Sequence, residues 1–153
     1  MHPNVKAFLD MLAVSEGTYG RGDDGYNVLA GGGFFYSYHD HPRTLVKLRP
    51  DLASTAAGRY QILARIYDAY KKLLGLPDFS PASQDAIALK MLYEQGAMED
   101  IREGRFFTAV DKVKNIWASL PGAGYGQPEK HILYLAGMYQ RFNGVITEDV
   151  PKG

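Results

Sequence analysis

The feature that most constrains this chain is a break in its hydrophobic period. Residues 4–16 place Val5, Phe8, Leu9 and Leu12 at i, i+3, i+4 and i+7, an amphipathic helical stripe that Gly17 ends. The period then vanishes. Residues 17–53 hold seven glycines, scattered tyrosines and short alternating runs such as Phe34-Phe35-Tyr36-Ser37-Tyr38, a pattern of turns and short strands. Leu45 to Leu48 reads as one more short strand before Pro50. Beyond that patch the helical period returns. It puts Ile62, Leu63, Ile66, Tyr67, Tyr70 and Leu74 on one face of a helix over 60–74, closed by Gly75. Ser80-Pro81 starts a helix that runs to about Glu94, with serine as the cap and proline in the first turn. A short helix over 98–103, one over 106–119 and a last one from Pro128 to before Gly144 complete the body. This order predicts an α+β, mainly helical fold: a single domain over 1–153. Its parts are a small β-containing lobe at 17–53, a larger helical lobe formed by 1–16 and 54–146, and a cleft between them.

Composition narrows function more than fold. Lysine plus arginine equals aspartate plus glutamate at 17 each, so no global field draws the chain to nucleic acid or holds it on an anionic membrane. The absence of cysteine excludes disulfides and thiolate zinc sites. No stretch approaches the ~20 apolar residues of a membrane span, and Met1 to Asp10 lacks the apolar core of a signal peptide. The redox compartment stays open, and a substrate beyond the inner membrane would call for outside help in delivery. Eleven tyrosines, seven phenylalanines and one tryptophan either fill a core or line a sugar-binding cleft, and composition leaves both open.

Glu16 carries the chemistry. It follows Leu12 by four residues and so projects from the apolar stripe rather than from the solvated face. It also closes a helix, where the macrodipole disfavours a negative charge. Both effects raise a carboxyl pKa, and an acid still protonated near neutral pH is what a glycosidic oxygen needs as proton donor. The same position would let the chain peel off the core and leave the carboxylate in water; geometry in sequence leaves the two readings open.

Ordered matches run from residue 7 to residue 127. They comprise Ala7-Phe8-Leu9-Asp10-Met11-Leu12-Ala13, Ser15-Glu16-Gly17-Thr18, Asp40-His41-Pro42-Arg43 and Gly58-Arg59-Tyr60-Gln61. Further on come Asp78-Phe79-Ser80-Pro81, Ser83-Gln84-Asp85-Ala86 and the long stretch Asn115 to Gln127. On these the chain resembles the phage endolysins of the lambda lysozyme type. The resemblance implies a lysozyme-like fold and lytic transglycosylase activity on the peptidoglycan glycan strand for host-cell lysis, with Glu16 as the catalytic acid. It also implies release to the periplasmic cell wall through a holin's membrane lesion. Val14 stands where the family pattern has tryptophan, and Asn27 and Gly33 where it has acidic residues.

The residues expected to contact the glycan are Ser15, Tyr36, Thr55, Tyr60, Gln61, Tyr125 and Gln127, with Arg43 bordering the cleft beside Tyr36. Gln61 both donates and accepts hydrogen bonds, which suits an acetamido group, while Tyr125 and Gln127 sit among glycines that let a sugar approach the backbone. Core spacing assigns Trp117 to burial rather than to sugar stacking. No metal or cofactor is called for, and a monomer is the expected state. A true lysozyme would pair Glu16 with Asp23 or Asp24, although Gly22 and Gly25 mark that pair as a solvated turn. A zinc amidase would build on His39-Asp40-His41, yet four histidines in all leave few ligands for a catalytic zinc. A non-catalytic wall-binding module would use the aromatics and would have no need of an acid on an apolar stripe.

Overall fold

The computed structural model describes residues 1–124 and 130–152. Its elements are six α-helices, one short 3-10 turn and a two-stranded antiparallel hairpin among the described residues. The fold is α+β and mainly helical, as the broken period predicts. The chain gathers into two compact units, one of Met1–Gly17 with Lys90–Gly153 and the other of Thr18–Leu89.

The first unit is organised on helix α1 (Pro3–Glu16). Pro3 sits in its first turn, and the His2 ring nitrogen accepts the Asn4 N–H at 3.0 Å, which satisfies one of the open donors of that turn. At the other end Gly17 adopts φ 77°, and its N–H reaches the carbonyls of Ala13 and Val14. The stripe Val5, Phe8, Leu9 and Leu12 is buried, but so are Ala7, Met11 and Ala13. The helix is enclosed more widely than its stripe foretold because small alanines let neighbouring helices approach. These neighbours are α4 (Met98–Arg102) and α6 (Ile132–Arg141). Phe8, Phe106 and Tyr139 form an edge-and-tilt cluster with centroids 4.7 to 6.3 Å apart. Each ring contributes about 2–3 kcal/mol by burial.

Helix α5 (Phe106–Val113) is shorter than the 106–119 span expected. Residues 114–120 make tight turns instead, with Ile116 N–H bonded to Val113 and Leu120 N–H to Trp117. Trp117 and Leu120 are nevertheless buried. Helix α6 starts at Ile132, with His131 as its cap; residues 128 and 129 of the expected start lie outside the described residues.

In the second unit, β1 (Val46–Arg49) pairs with β2 (Leu52–Ser54), Val46 facing Ser54. The strand expected at 34–38 reduces to one bridge between Val28 and Phe34, since positive-φ glycines at 31 and 32 interrupt any ladder. Helix α2 (Ala64–Leu74) begins four residues later than the periodicity suggests. Ala57 and Ile62 exchange both backbone hydrogen bonds, and Gln61 at φ 51° closes that loop.

Residues 54–89 group with 18–53, whereas the sequence assigned them to the helical lobe. Polar ties explain the difference. Within helix α3 (Pro81–Glu94), Gln84 accepts the Arg59 N–H at 2.9 Å and donates to the carbonyls of Tyr26 and Phe79. Asp85 accepts the hydroxyls of Tyr26 at 2.9 Å and Tyr60 at 2.6 Å. Gly58 makes this possible: at φ 83° a Cβ there would collide with the Gln84 side-chain oxygen.

Candidate active site

Glu16 ends α1, where the last carbonyls of a helix present their negative poles. The residue as a whole is half-buried, yet its carboxyl has lost most of its hydration. That burial pushes its pKa from the ordinary value near 4.5 up to about 8, while the charge of Lys130 and a hydrogen bond from the Ser119 side chain pull the other way. Of the two readings open in sequence, a carboxylate turned into water and an acid that keeps its proton, the burial of the carboxyl favours the second.

Two serines stand behind the carboxyl. Ser119 is buried and bonds Glu16, and its Oγ lies 2.6 Å from the Oγ of Ser15, also buried. The backbone carbonyl of Ser119 accepts the N–H of Lys130 at 2.9 Å, which draws the start of the Lys130 segment alongside. Ser15, Glu16, Ser119 and Lys130 all belong to the first unit, so a single compact body assembles them. Ser119 and Lys130 were not singled out from the sequence. Ser119 lies inside the long matching stretch Asn115 to Gln127, which was the available signal; Lys130 had none, because its proximity arises only from the docking of its segment on Ser119.

The remaining sequence-predicted contacts among the described residues belong to the second unit. Tyr36, in the second unit, is 90% exposed. Thr55 accepts the Ala64 N–H at 3.1 Å and so caps the start of α2. Tyr60 is 1% exposed with its hydroxyl spent on Asp85, which makes it a core residue rather than a glycan contact. Gln61 donates to the carbonyls of Val28 and Gly58 and braces its own turn. Arg43 is tied to Asp40 and Asp68. Tyr125 and Gln127 lie outside the described residues.

The competing chemistries find their residues occupied. Asp23 accepts the Tyr38 hydroxyl, and Asp24 accepts the Gly20 N–H at 3.0 Å and faces Arg59 at 3.5 Å, both within a glycine turn. His41 is buried, with Nε2 2.8 Å from the Ile62 carbonyl and Nδ1 accepting the Arg43 N–H at 2.9 Å, so neither ring nitrogen is open to a metal.

Comparison with known proteins bears on the fold and the family. A family model described as Endolysin matches residues 6–146. The endolysin of Escherichia phage lambda is 54% identical over 147 residues, covering 94% of this chain and 93% of that protein. The endolysin of Escherichia phage P2 is 46% identical, covering 94% and 95%. Among solved structures, bacteriophage lambda lysozyme complexed with a chitohexasaccharide superposes with a TM-score of 0.94 at 51% identity, over 96% of this chain and 98% of that one. A second structure of the lysozyme from bacteriophage lambda gives 0.89 at 50% identity, with the same coverage. With a lysozyme-like fold and matches spanning nearly its whole length, the chain belongs to the endolysin family.

Proposed function

We propose that this endolysin, a peptidoglycan-degrading enzyme of host-cell lysis, cuts the glycan strand as a lytic transglycosylase with Glu16 as its one catalytic residue. The observation that carries the proposal is a carboxyl that burial keeps protonated up to about pH 8, with no second free carboxylate among the residues the sequence nominated. In the first half of the reaction the Glu16 carboxylic acid protonates the oxygen joining N-acetylmuramic acid to N-acetylglucosamine, and the bond from that oxygen to the muramic acid anomeric carbon breaks. In the second half the 6-hydroxyl oxygen of the same muramic acid bonds to the anomeric carbon, and its proton passes to the Glu16 carboxylate. The product carries a 1,6-anhydro ring, no water is consumed and the acid is restored. Attack from within one sugar gains several kcal/mol, roughly, over capture of a separate water. A base or nucleophile of the kind Asp23 or Asp24 would supply is then unnecessary.

Ser15 is assigned as a residue supporting the acid. Tyr36, Thr55, Gln61, Tyr125 and Gln127 remain the proposed glycan contacts, with Tyr60 acting through the fold. The rest of the proposal follows the family resemblance: a monomer, made in the host cytoplasm, without stable membrane association, and admitted to the periplasmic wall by a holin. No helix among the described residues is long and apolar enough to cross a membrane. Digestion of purified sacculi followed by mass measurement tests the chemistry. Anhydro ends are the expected product; reducing ends that have gained a water would overturn the transglycosylase in favour of a hydrolase.

A further inference from the structure

Glu16 must serve once as an acid and once as a base, and its carboxyl has two oxygens with which to do so. One has to face the reacting proton. The Ser119 side chain bonds the same carboxyl, and by holding the other oxygen it would leave that one free to react. A serine hydroxyl has a single proton, and a carboxylate can only accept. Once Glu16 is ionised the Ser119 proton is therefore committed to it, and the 2.6 Å contact between the two hydroxyls is then Ser15 donating to Ser119. Both serines are buried, at 1% and 8% exposure, so water does not compete for these bonds. Ser15 is fixed by α1 and Ser119 by the turn before Pro121, with the Ser119 carbonyl pinned by the Lys130 N–H.

We propose that Ser119 and Ser15 are positioning residues for the reaction: a two-hydroxyl chain that anchors one oxygen of Glu16 and leaves the other to the substrate. This rests on the reading of Glu16 as the acid. A hydrogen bond to an anion is roughly twice as strong as one between neutral groups, so the anchor tightens when the proton leaves and relaxes when it returns. Ser15 polarises the Ser119 hydroxyl and thereby strengthens its donation. The pair thus favours release of the proton in the first half, where an acid of raised pKa is slowest to give it up. Ser15, expected to contact glycan, acts on this view one bond further back.

The test measures kcat, KM and the pH profile of glycan release from purified sacculi for the wild type, Ser119→Ala, Ser15→Ala and Glu16→Gln. The rate of the wild type falls as pH rises through the Glu16 pKa, because the acid form is consumed. Removing a donor to the charged form raises that pKa. Ser119→Ala should move the alkaline limb upward by about half a pH unit and lower kcat about tenfold with KM within about twofold. Ser15→Ala, which places a good helix former in α1, should move the limb in the same direction by less. If Ser119→Ala fails to fold, Ser15→Ala decides alone. A limb unmoved in the folded serine variants overturns the proposal, whatever their rates. An active Glu16→Gln overturns the reading of Glu16 itself, whereas an inactive one beside unaltered serine variants removes only the hydroxyl chain.

Discussion

Two buried carboxyl groups in the same compact unit behave in opposite ways. Glu16 is pushed up to about 8, with burial the dominant cause and only Ser119 and Lys130 opposing it. Asp100 is 5% exposed, and burial alone would raise it too, yet hydrogen bonds from Lys112 at 2.6 Å and Arg105 at 2.8 Å hold it below the ordinary aspartate range. Lost hydration pushes both carboxyls upward, so that push alone does not assign the role. What differs is compensation. Asp100 is a finished ion cluster that ties α4 to α5. Glu16 is left short of positive charge at the negative end of a helix, which costs stability and makes an acid.

The largest expected effect separates the two by activity. Glu16→Gln should lower glycan release on the order of 1,000-fold or more while leaving the fold intact. Folded Asp100→Ala should keep the wild-type rate, measured on the same sacculi. A Glu16→Gln variant that still digests walls would end the distinction.

The next effect is in stability against pH, and its sign differs between the sites. The folded-state pKa of Glu16 lies above its unfolded value. The stability tied to its proton is therefore fully present below about 4.5 and is lost as pH rises towards about 8. Glu16→Gln should match the wild type in denaturant titrations near pH 5 and exceed it by ~3 kcal/mol at pH 8. For Asp100 the folded pKa is depressed, so its contribution is present above the unfolded value and disappears as pH falls through the folded one. Asp100→Ala should cost about 2 kcal/mol at neutral pH, because Arg105 and Lys112 are partly exposed and recover some hydration. That loss should shrink in acid. Equal slopes for the two variants would erase the contrast.

A neutral group sharpens the same rule. Tyr67 is fully buried among His41 and Phe79, and its hydroxyl has no hydrogen-bond partner among the described residues. Tyr67→Phe should therefore be neutral or stabilising by up to about 1 kcal/mol, read as a midpoint shift in thermal unfolding. A marked loss would mean that the hydroxyl is satisfied after all. The smallest effect concerns Lys130. Replacing it by Met removes one opposing charge and should move the alkaline limb of activity upward by roughly half a unit.

The sequence carried the acid better than it carried its surroundings. Helix α1 was legible because its stripe and its glycine stop are both local, and Glu16 followed from its place four residues after Leu12. Gly75 likewise marked the end of α2. The start of α2 was misplaced because Ala57 and Ile62 pair across a loop, and periodicity does not report a backbone exchange. The grouping of residues 54–89 with 18–53 was hidden for a similar reason: Gln84 and Asp85 look like ordinary helix positions until Arg59, Tyr26 and Tyr60 are brought to them. Ser119 reaches Ser15 across more than a hundred residues of chain, a distance over which no spacing rule operates. Tyr60 shows the converse error, since a tyrosine in a matching motif is as readily a core residue as a sugar contact.

The most direct measurement is a carbon-13 NMR titration of the Glu16 side-chain carboxyl in the intact protein. A midpoint near 8 is the expected result. A midpoint in the usual glutamate range, about 4 to 5, would mean that Glu16 is already an anion at neutral pH and has no proton to give the glycosidic oxygen.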